Sequence, residues 1–572
     1  MKQITEIFFL KHVLDRLLRL LTRRHKVYMI ILIVMGFGFS LIETVGISVI
    51  MPFISLVSNP TLFTSGLYKK AFDFFGAASA ESFIIGMGIG IICFYMFRTV
   101  YSIFLTYCMN RFSCGLYKYF SKEVFKTVLS VPYRLYAVRN SAELMRTITN
   151  ETSDINGISL NILQLCSEVF TVFMVYAVIV LLNWKMTLIV SVVLLCMVLF
   201  LLSILTKKNK VQGIKRFASG RKINRTLKEA LGNYKYVKLK GNEETILSVY
   251  DSTLETYTRS EVVNNVLGII PKSILESMGF SFLVAIVVFI IWIYHDASRV
   301  IPIISMYALA LYRILPSVNR MLQNVNNIAF FQNCLEGVEQ SLRQPVETEG
   351  SAPLAFDQSI RLEDIHFRYI TGSDVITGVS LEINKGEKIA ITGESGSGKS
   401  TLVDIIIGIH RPLSGKVLID DAVITDDNIR SWRQKTGYIP QSIYLFDGTV
   451  GENVSFGSKP DNEKIKKALQ MANIWDFLSQ KEGIDTRVGD EGIQLSGGQQ
   501  QRIGIARALY DDPEVLVLDE ATSALDNETE RKIMDEIYTV SADKTLIVIA
   551  HRLSTVERCN RKIRIEHGKI VF

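Results

Sequence analysis

Residues 388–408 read KIAITGESGSGKSTLVDIIIG. The segment KIAIT predicts a buried strand, TLVDIIIG predicts a helix, and the glycine-rich residues between them match G-x-x-x-x-G-K-[ST]. Glycines let backbone N–H groups turn toward phosphates, Lys399 neutralises the β- and γ-phosphate oxygens, and the Ser400 hydroxyl can ligate Mg²⁺. The sequence therefore predicts a phosphate-binding loop with these nucleotide-binding residues: Gly393, Glu394, Ser395, Gly396, Ser397, Gly398, Lys399, Ser400 and Thr401.

A second motif, VLVLDE at 515–520, predicts a buried strand that ends in two carboxylates. Beside a phosphate-binding loop, Asp519 is suited to hold Mg²⁺ and Glu520 to polarise the attacking water. The segments KIAITG, KVLID, EVLVLDE and TLIVIAH are short, rich in β-branched residues and separated by helical stretches. Residues 359–572 are therefore predicted to form an α/β P-loop NTPase domain with a mostly parallel sheet.

A third motif, LSGGQ at 495–499, lies between the first two and precedes a helical stretch. Its serine and glycines offer hydroxyl and backbone donors at a helix N-terminus, which is a ready anion site. One small domain rarely needs two phosphate sites for one nucleotide. We therefore expect this site to cover the γ-phosphate bound to another copy, so that the following residues bind ATP in trans within a homodimer: Ser496, Gly497, Gly498 and Gln499.

The amino-terminal half of the chain has a different composition. The chain of 572 residues is 49% hydrophobic and 21% charged with a mean hydropathy of +0.26, which is more apolar than an average soluble enzyme. Residues 1–326 are predicted to form an α-helical transmembrane bundle, and residues 327–358, which contain QPVETEGSAP, are predicted to form a linker. The six stretches long and apolar enough to span a bilayer are 28–57, 83–109, 158–182, 186–206, 266–294 and 300–322.

Basic residues flank these spans and account for the net charge of +7. The long segments 110–157 and 207–265 are rich in Lys and Arg, which places them, both termini and the P-loop domain in the cytoplasm. The charge is therefore attributed to orientation in the membrane, and no nucleic-acid partner is expected.

Ionisable residues inside spans are costly and are functional candidates. Several are cationic and fall in the second, fifth and sixth spans, where they are suited to line a cavity that attracts an anion. Glu43 and Glu168 offer a second interpretation, in which the carboxylates simply pair with these cations. Arg320 also fits a plain cytoplasmic boundary residue, and Arg313 too fits a residue that faces the cytoplasm if the helix projects beyond the bilayer. The candidate substrate-binding residues are Arg98, Lys272, Arg313 and Arg320.

The order of GESGSGKS, GYIPQSIYLF, LSGGQ, VLVLDE, SALD and IAHRLST resembles the ATP-binding cassette (ABC) family. By that resemblance, Tyr369 stacks on adenine, Gln441 contacts Mg²⁺, Glu520 is the general base and His551 contacts the γ-phosphate as a second catalytic residue. Six spans before one cassette resemble a half-size exporter. The segment SAELMRTITNET, 141–152, stands where such exporters carry a coupling element.

The membrane half resembles one subgroup, the bacterial lipid-linked oligosaccharide flippases. The segments IETVGISVIMPF, FYMFR and LALYRILPSVNR carry this likeness. It implies ATP-driven movement of an undecaprenyl-diphosphate-linked oligosaccharide across the bacterial inner membrane, with the pyrophosphate bound by the four cations above. Lys272 stands where that subgroup has arginine, so it keeps the charge but loses bidentate geometry.

Two alternatives remain. The first is an ABC exporter of lipid A, other lipids, drugs or peptides, and lipid A, itself a phosphorylated glycolipid, fits the same cations. The second is a soluble cassette ATPase, which the six predicted spans exclude.

Overall fold

The computed structural model describes residues 4–58, 73, 79–182, 184–294, 300–370, 372–489, 492–519, 527–549, 556 and 558–571. The chain divides into two compact units. The first, here called the membrane unit, comprises Met1–Leu129 and Arg139–Gln344. The second, here called the nucleotide-binding unit, comprises Ser130–Val138 and Pro345–Phe572.

Each of the six predicted spans lies inside a helix of the membrane unit. Among the described residues, the segments long and apolar enough to cross a bilayer are Arg23–Ile54, Glu81–Ser130 and Ser141–Val178. The spans predicted at 186–206, 266–294 and 300–322 contain side chains outside the described set. The helices of this unit and its connecting loop are α1 Ile4–Leu20, α2 Arg23–Ser58, α3 Ala80–Ser130, α4 Tyr133–Tyr136, α5 Ser141–Arg146, α6 Thr152–Leu182, α7 Trp184–Gly232, α8 Tyr234–Lys240, α9 Glu243–Tyr294, α10 Val300–Phe331 and α11 Asn333–Leu342.

Three of these helices are much longer than a bilayer is thick. Helices α3, α7 and α9 have 51, 49 and 52 residues. At about 1.5 Å per residue each is roughly 75 Å long, against a hydrocarbon core of about 30 Å. The polar segments 110–157 and 207–265 are therefore mostly helical extensions of the spans rather than loops.

The structure corrects the predicted start of the linker at residue 327. Helix α10 continues to Phe331 and α11 follows it. Cys334, Leu335 and Val338 of α11 are buried in one cluster with Phe120 and Ile155 of the membrane unit. The prediction relied on Pro345 and Gly350 and did not use the helical spacing of these residues. In the structure, the extended connection begins only after Leu342.

The segment predicted as a coupling element, 141–152, belongs to the membrane unit. Within the membrane unit, α5 continues into the π-helix Thr147–Glu151, and Arg146 and Glu151 pair there at 3.6 Å, 6% and 1% exposed. Arg146 also lies over the Phe217 ring at 4.1 Å, so these charges are used internally. The part of this loop that belongs to the nucleotide-binding unit is Ser130–Val138, which contains α4.

The nucleotide-binding unit contains two sheets within its described residues. The larger has strand order β10-β9-β3-β8-β7-β6 and is parallel except for the pair β9 and β10. This confirms the predicted α/β fold. The smaller antiparallel sheet has order β2-β1-β4-β5. The strands are β1 Ser359–Arg368, β2 Asp374–Asn384, β3 Lys388–Thr392, β4 Ser414–Ile419, β5 Ala422–Val423, β6 Thr436–Ile439, β7 Val515–Asp519, β8 Thr545–Ile549, β9 Arg561–Glu566 and β10 Lys569–Val571.

Helices cover the larger sheet, and its central strands are apolar on both faces. The run Val515 to Leu518 is fully buried, as expected of a parallel strand between helical layers. Parallel strands present their carboxyl ends at one edge, so the segments after β3, β6 and β7 meet there. The helices are α12 Lys399–Ile406, α13 Ile429–Gln434, α14 Val450–Val454, α15 Asn462–Met471, α16 Trp475–Ser479, α17 Gly497–Leu509 and α18 Asn527–Val540.

Candidate functional site

The phosphate-binding loop runs from the end of β3 to the start of α12. Gly393 has φ +148° and Gly398 φ +104°, values that a residue with a side chain rarely adopts. A Cβ at Gly393 would lie 2.3 Å from the Ile565 carbonyl oxygen, so glycine is required there sterically as well. The Ser397 Oγ is buried and has no hydrogen-bond partner among the described residues. This loop geometry fits a bound phosphate chain.

Lys399 directs its charge back across the loop. Its side chain is 5% exposed. The Nζ donates to the carbonyl oxygens of Gly393, at 3.0 Å, and Glu394, at 2.8 Å. Because both partners are uncharged carbonyls, the ammonium is held in place while its charge stays available to an anion.

Ser400 and Asp519 lie side by side at the carboxyl edge of the sheet. The Ser400 hydroxyl donates to Asp519 Oδ1 at 3.3 Å, and the Tyr438 hydroxyl donates to Oδ2 at 3.1 Å. Burial and the negative Asp519 raise the pKa of Tyr438, which keeps that donor protonated. Gln441 is exposed two residues after β6, the strand that pairs with β7.

These donors suit Mg²⁺. No group of three or more His, Cys, Asp or Glu side chains forms a metal site in the described part of the chain. Mg²⁺ at nucleotide sites usually takes only one or two carboxylates together with phosphate oxygens and water. A hydroxyl and a carboxylate 3.3 Å apart beside the phosphate-binding loop therefore fit that ion.

Tyr369, the predicted adenine-stacking residue, directly follows β1. Its hydroxyl shares a hydrogen bond of 2.9 Å with Thr401 Oγ1 on α12. Its ring packs edge-on against Phe367, with centroids 5.2 Å apart. The ring is therefore anchored to the same helix that begins at the phosphate-binding loop.

The LSGGQ motif begins α17 with a complete N-terminal cap. The Gln499 amide donates to the Ser496 hydroxyl at 3.4 Å, and the Ser496 amide donates to Gln499 Oε1 at 2.9 Å. Ser496 and Gly497 are exposed, and a Cβ at Gly497 would meet nothing within 4 Å. The helix N-terminus thus has the polarity and the open approach of an anion site.

The two predicted catalytic residues, Glu520 and His551, lie outside the described residues. The description ends at Asp519 on the β7 side and at Ile549 on the β8 side. Their roles remain predictions.

Sequence reasoning missed two titratable residues near the loop, the partly buried Asp404 and the buried His410. Burial, and secondarily the negative Asp519, raise the pKa of Asp404 to about 7. Burial, and secondarily Arg134, lower the pKa of His410 to about 4, so its imidazole is neutral. The signal available was an aspartate inside the otherwise apolar run TLVDIIIG.

Of the four predicted substrate cations, Arg98 and Arg320 form ion pairs with carboxylates. Arg98 of α3 forms an ion pair with Glu43 of α2, which is 4% exposed. Arg320 of α10 pairs with Glu168 of α6, with Nε to Oε1 at 2.5 Å and Nη2 to Oε2 at 3.2 Å. Both carboxylates therefore pair with predicted substrate cations in this structure.

The other two predicted substrate cations are Lys272 and Arg313. Lys272 is exposed beside Pro271 of α9 and has no ion-pair partner within the described residues. Arg313 lies in α10, and its side chain is outside the described set.

Comparisons with known proteins agree with this architecture. Residues 376–523 match the ABC transporter model, and residues 45–315 match the ABC transporter transmembrane region. The chain is 30% identical over 482 residues to an ATP-dependent lipid A-core flippase of Burkholderia pseudomallei, covering 82% of this chain and 79% of the relative.

Three further proteins are similar to this chain. A lipid A-core flippase of Chromohalobacter salexigens is 31% identical, over 86% of this chain and 84% of the relative. The heterocyst differentiation ATP-binding protein HepA of a Nostoc species is 28% identical, over 79% of this chain and 74% of the relative. A solved structure of a bacterial Atm1-family ABC exporter with ATP bound has a TM-score of 0.75, with 22% identity, over 96% of this chain and 94% of that one. This last likeness concerns the fold alone.

Proposed function

Because the chain belongs to the ABC transporter family and is an ATP-hydrolysing half-size exporter, we propose that it moves a phosphorylated glycolipid across a bacterial inner membrane. The observation that carries the proposal is the similarity, at 30% identity over 482 residues, to lipid A-core flippases of bacteria. The relatives favour lipid A-type cargo over the undecaprenyl-diphosphate-linked oligosaccharide expected from the resemblance of the membrane segments.

Each part of the nucleotide site has a definite task in this proposal. The loop amides and Lys399 bind the phosphates, and Tyr369 stacks on adenine. Ser400 and Asp519 would hold Mg²⁺ together with Gln441, and when bound this ion neutralises charge on the β- and γ-phosphate oxygens. Glu520 accepts the proton of the attacking water, and His551 orients the γ-phosphate.

A second copy completes the site. The exposed N-terminus of α17 offers the Ser496 hydroxyl and the backbone amides of Gly497 and Gly498 to an anion. One nucleotide already has a phosphate-binding loop, so the proposed occupant of this second donor set is the γ-phosphate held by the other copy. The functional unit is accordingly a homodimer with two composite ATP sites.

Two ion pairs of the membrane unit support a proposal for how the cargo is bound. Arg98 and Arg320 each hold a carboxylate in this state. A phosphate group offers the same oxygen geometry with greater charge, so it is suited to replace Glu43 or Glu168 as the partner of arginine. We therefore propose exchange of the carboxylate for a lipid phosphate at Arg98 and Arg320, with Lys272 and Arg313 as further cations along the path.

An undecaprenyl-diphosphate-linked oligosaccharide is the second candidate cargo. The resemblance of IETVGISVIMPF, FYMFR and LALYRILPSVNR to lipid-linked oligosaccharide flippases supports it. Both cargoes carry phosphate on a lipid and differ in the lipid portion and the glycan. The same cations therefore serve either one, and only a direct comparison of substrates separates them.

That comparison uses the full chain in proteoliposomes. Lipid A-core and an undecaprenyl-diphosphate-linked glycan are each placed in the leaflet on the side of the nucleotide-binding unit, and arrival in the other leaflet is followed with Mg²⁺-ATP. Preferential movement of lipid A-core supports the first candidate, and preferential movement of the polyprenyl-linked glycan supports the second. Movement of neither, with active ATP hydrolysis, would contradict the proposal.

A further inference from the structure

His410 lies between α12, the helix that follows the phosphate-binding loop, and the segment Ser130–Val138. That segment contains α4 and connects the second and third predicted spans. His410 follows α12 by four residues, and its amide donates to the Asp404 carbonyl oxygen at 3.0 Å. Its side chain is buried, with the residue 2% exposed. Its position is therefore fixed by the end of the helix that starts at Lys399.

Three aromatic rings surround the imidazole. Phe367 lies 4.7 Å from it, centroid to centroid, at an interplanar angle of 30°. Tyr369 approaches edge-on at 5.5 Å and 82°. Tyr133 lies on another side at 5.5 Å and 47°. The imidazole therefore touches both the predicted adenine-stacking ring and a residue of the loop.

One of the two ring nitrogens of His410 is unpaired within the described residues. Its Nε2 has no hydrogen-bond partner among the described residues and stands 4.0 Å from Asp404 Oδ2. The imidazole contacts its neighbours through its flat ring, which packs against Phe367, Tyr369 and Tyr133.

A backbone hydrogen bond holds the loop segment close to this contact. The Glu347 amide donates to the Ser130 carbonyl oxygen at 2.7 Å, at the start of the segment. Three residues later Tyr133 begins α4 and packs on His410. A displacement of α4 therefore acts on the imidazole directly and, through it, on Tyr369.

We propose that His410 is a positioning residue that sets the orientation of Tyr369 for adenine and transmits the position of Tyr133 to that ring. The inference rests on the proposed ATP site and does not depend on which lipid is carried. It assigns adenine affinity to three packed rings, Tyr133, His410 and Tyr369. Phosphate binding remains with the loop around Lys399.

The test uses the full-length protein in lipid vesicles and compares His410→Ala, His410→Asn and His410→Phe. Loss of two or three aromatic contacts is expected to raise KM for ATP about tenfold in the Ala and Asn variants, with kcat within about twofold of wild type. The Phe variant keeps a ring and is expected to stay within about twofold of the wild-type KM. Tyr133→Ala is expected to raise KM about threefold, and Tyr133→Phe to leave it unchanged.

Inorganic tripolyphosphate separates positioning from collapse of the site. This probe has no base, so its inhibition constant is expected to stay the same in wild type and His410→Ala. Equal weakening of ATP and tripolyphosphate would overturn the proposal, because the loop itself would then be damaged. An Asn variant with wild-type KM, or a Phe variant as poor as Ala, would also overturn it. Failure of lipid transport alone would leave these nucleotide measurements intact and would concern only the proposed function.

Discussion

The two units of the molecule hold their candidate binding-site cations in opposite ways. In the nucleotide-binding unit, Lys399 is held by two carbonyl oxygens and forms no ion pair within the described residues. In the membrane unit, Arg98 and Arg320 each face a carboxylate. The first arrangement keeps a charge open for an anionic ligand, and the second balances it until a competing anion arrives.

The difference reflects the surroundings of each charge. The phosphate-binding loop can hold an open cation because its residues Glu394, Ser395 and Gly396 are exposed, so a ligand can reach it. An unpaired arginine in a membrane span is far more costly, so a carboxylate partner stabilises it between transport events. We therefore expect an open cation such as Lys399 to mark a standing anion site, whereas the paired Arg98 and Arg320 are proposed to exchange partners.

The largest effect is expected at the predicted general base. Glu520→Gln removes the group that accepts the proton of the attacking water while keeping the size of the side chain. Steady-state ATP hydrolysis is expected to fall roughly 10²- to 10⁴-fold. Binding of ATP, measured by equilibrium titration, is expected to persist. Hydrolysis at the wild-type rate would remove Glu520 from this role.

The open cation of the nucleotide-binding unit comes next. Lys399→Ala removes the charge beside the β- and γ-phosphates, and ATP hydrolysis is expected to fall roughly 10²- to 10³-fold. Lys416→Ala, an exposed lysine of β4, is the matched control and is expected to retain normal turnover. Similar turnover in both variants would show that an open buried cation does not identify the phosphate site.

The paired cations of the membrane unit give a smaller and more informative effect. If phosphate replaces Glu168 at Arg320, then Glu168→Gln removes the competitor and lowers the half-saturating lipid concentration roughly three- to tenfold. Arg320→Ala is expected to raise it by a similar factor, and the double variant is expected to behave like Arg320→Ala. The readout is lipid transport in vesicles, with basal ATP hydrolysis as the control.

A purely structural ion pair gives another pattern. In that case both single variants impair transport to the same degree, and the double variant recovers part of the loss. The Glu43→Gln variant, the Arg98→Ala variant and their double variant repeat the comparison at a second, more buried pair.

The smallest effect concerns the partly buried Asp404. Its pKa is raised in the folded protein from 3.8 to about 7, so the folded state keeps a proton that the unfolded chain loses. The stability that this protonated group contributes is complete below pH 3.8 and is lost as the pH rises through about 7. Asp404→Asn is therefore expected to gain stability over wild type between pH 5 and pH 8, by at most about 3 kcal/mol.

The measurement is the melting temperature of the full-length protein in detergent at both pH values. An advantage of Asp404→Asn that grows toward pH 8 agrees with the raised pKa. The same advantage at pH 5 and pH 8 would mean that Asp404 titrates as an ordinary carboxylate.

The features that the sequence predicted well depend on short stretches of neighbouring residues. The loop around Lys399 and the strand that ends in Asp519 were found because spacing along the chain specifies both their conformation and their chemistry. The six apolar stretches were found because crossing a bilayer demands a minimum length of apolar helix.

What the sequence left open depends on contacts between distant segments. That Arg98 meets Glu43, and Arg320 meets Glu168, follows from the packing of separate helices, so composition permitted the pairing without specifying it. The start of the linker was misplaced because Pro345 and Gly350 were weighted above the helical spacing of Leu335 and Val338. His410 was missed because an isolated histidine carries no signal until its aromatic neighbours are known.

The central claim, that ATP hydrolysis by this chain drives a phosphorylated glycolipid across a membrane, is tested most directly by leaflet-resolved transport in one set of vesicles. Wild-type protein and Glu520→Gln are reconstituted with labelled lipid A-core, and the labelled lipid in each leaflet is quantified before and after Mg²⁺-ATP is added. We predict that ATP moves the lipid to the leaflet opposite the nucleotide-binding unit with wild-type protein and leaves it in place with Glu520→Gln. Equal movement by both proteins, or equal movement without ATP, would contradict the claim.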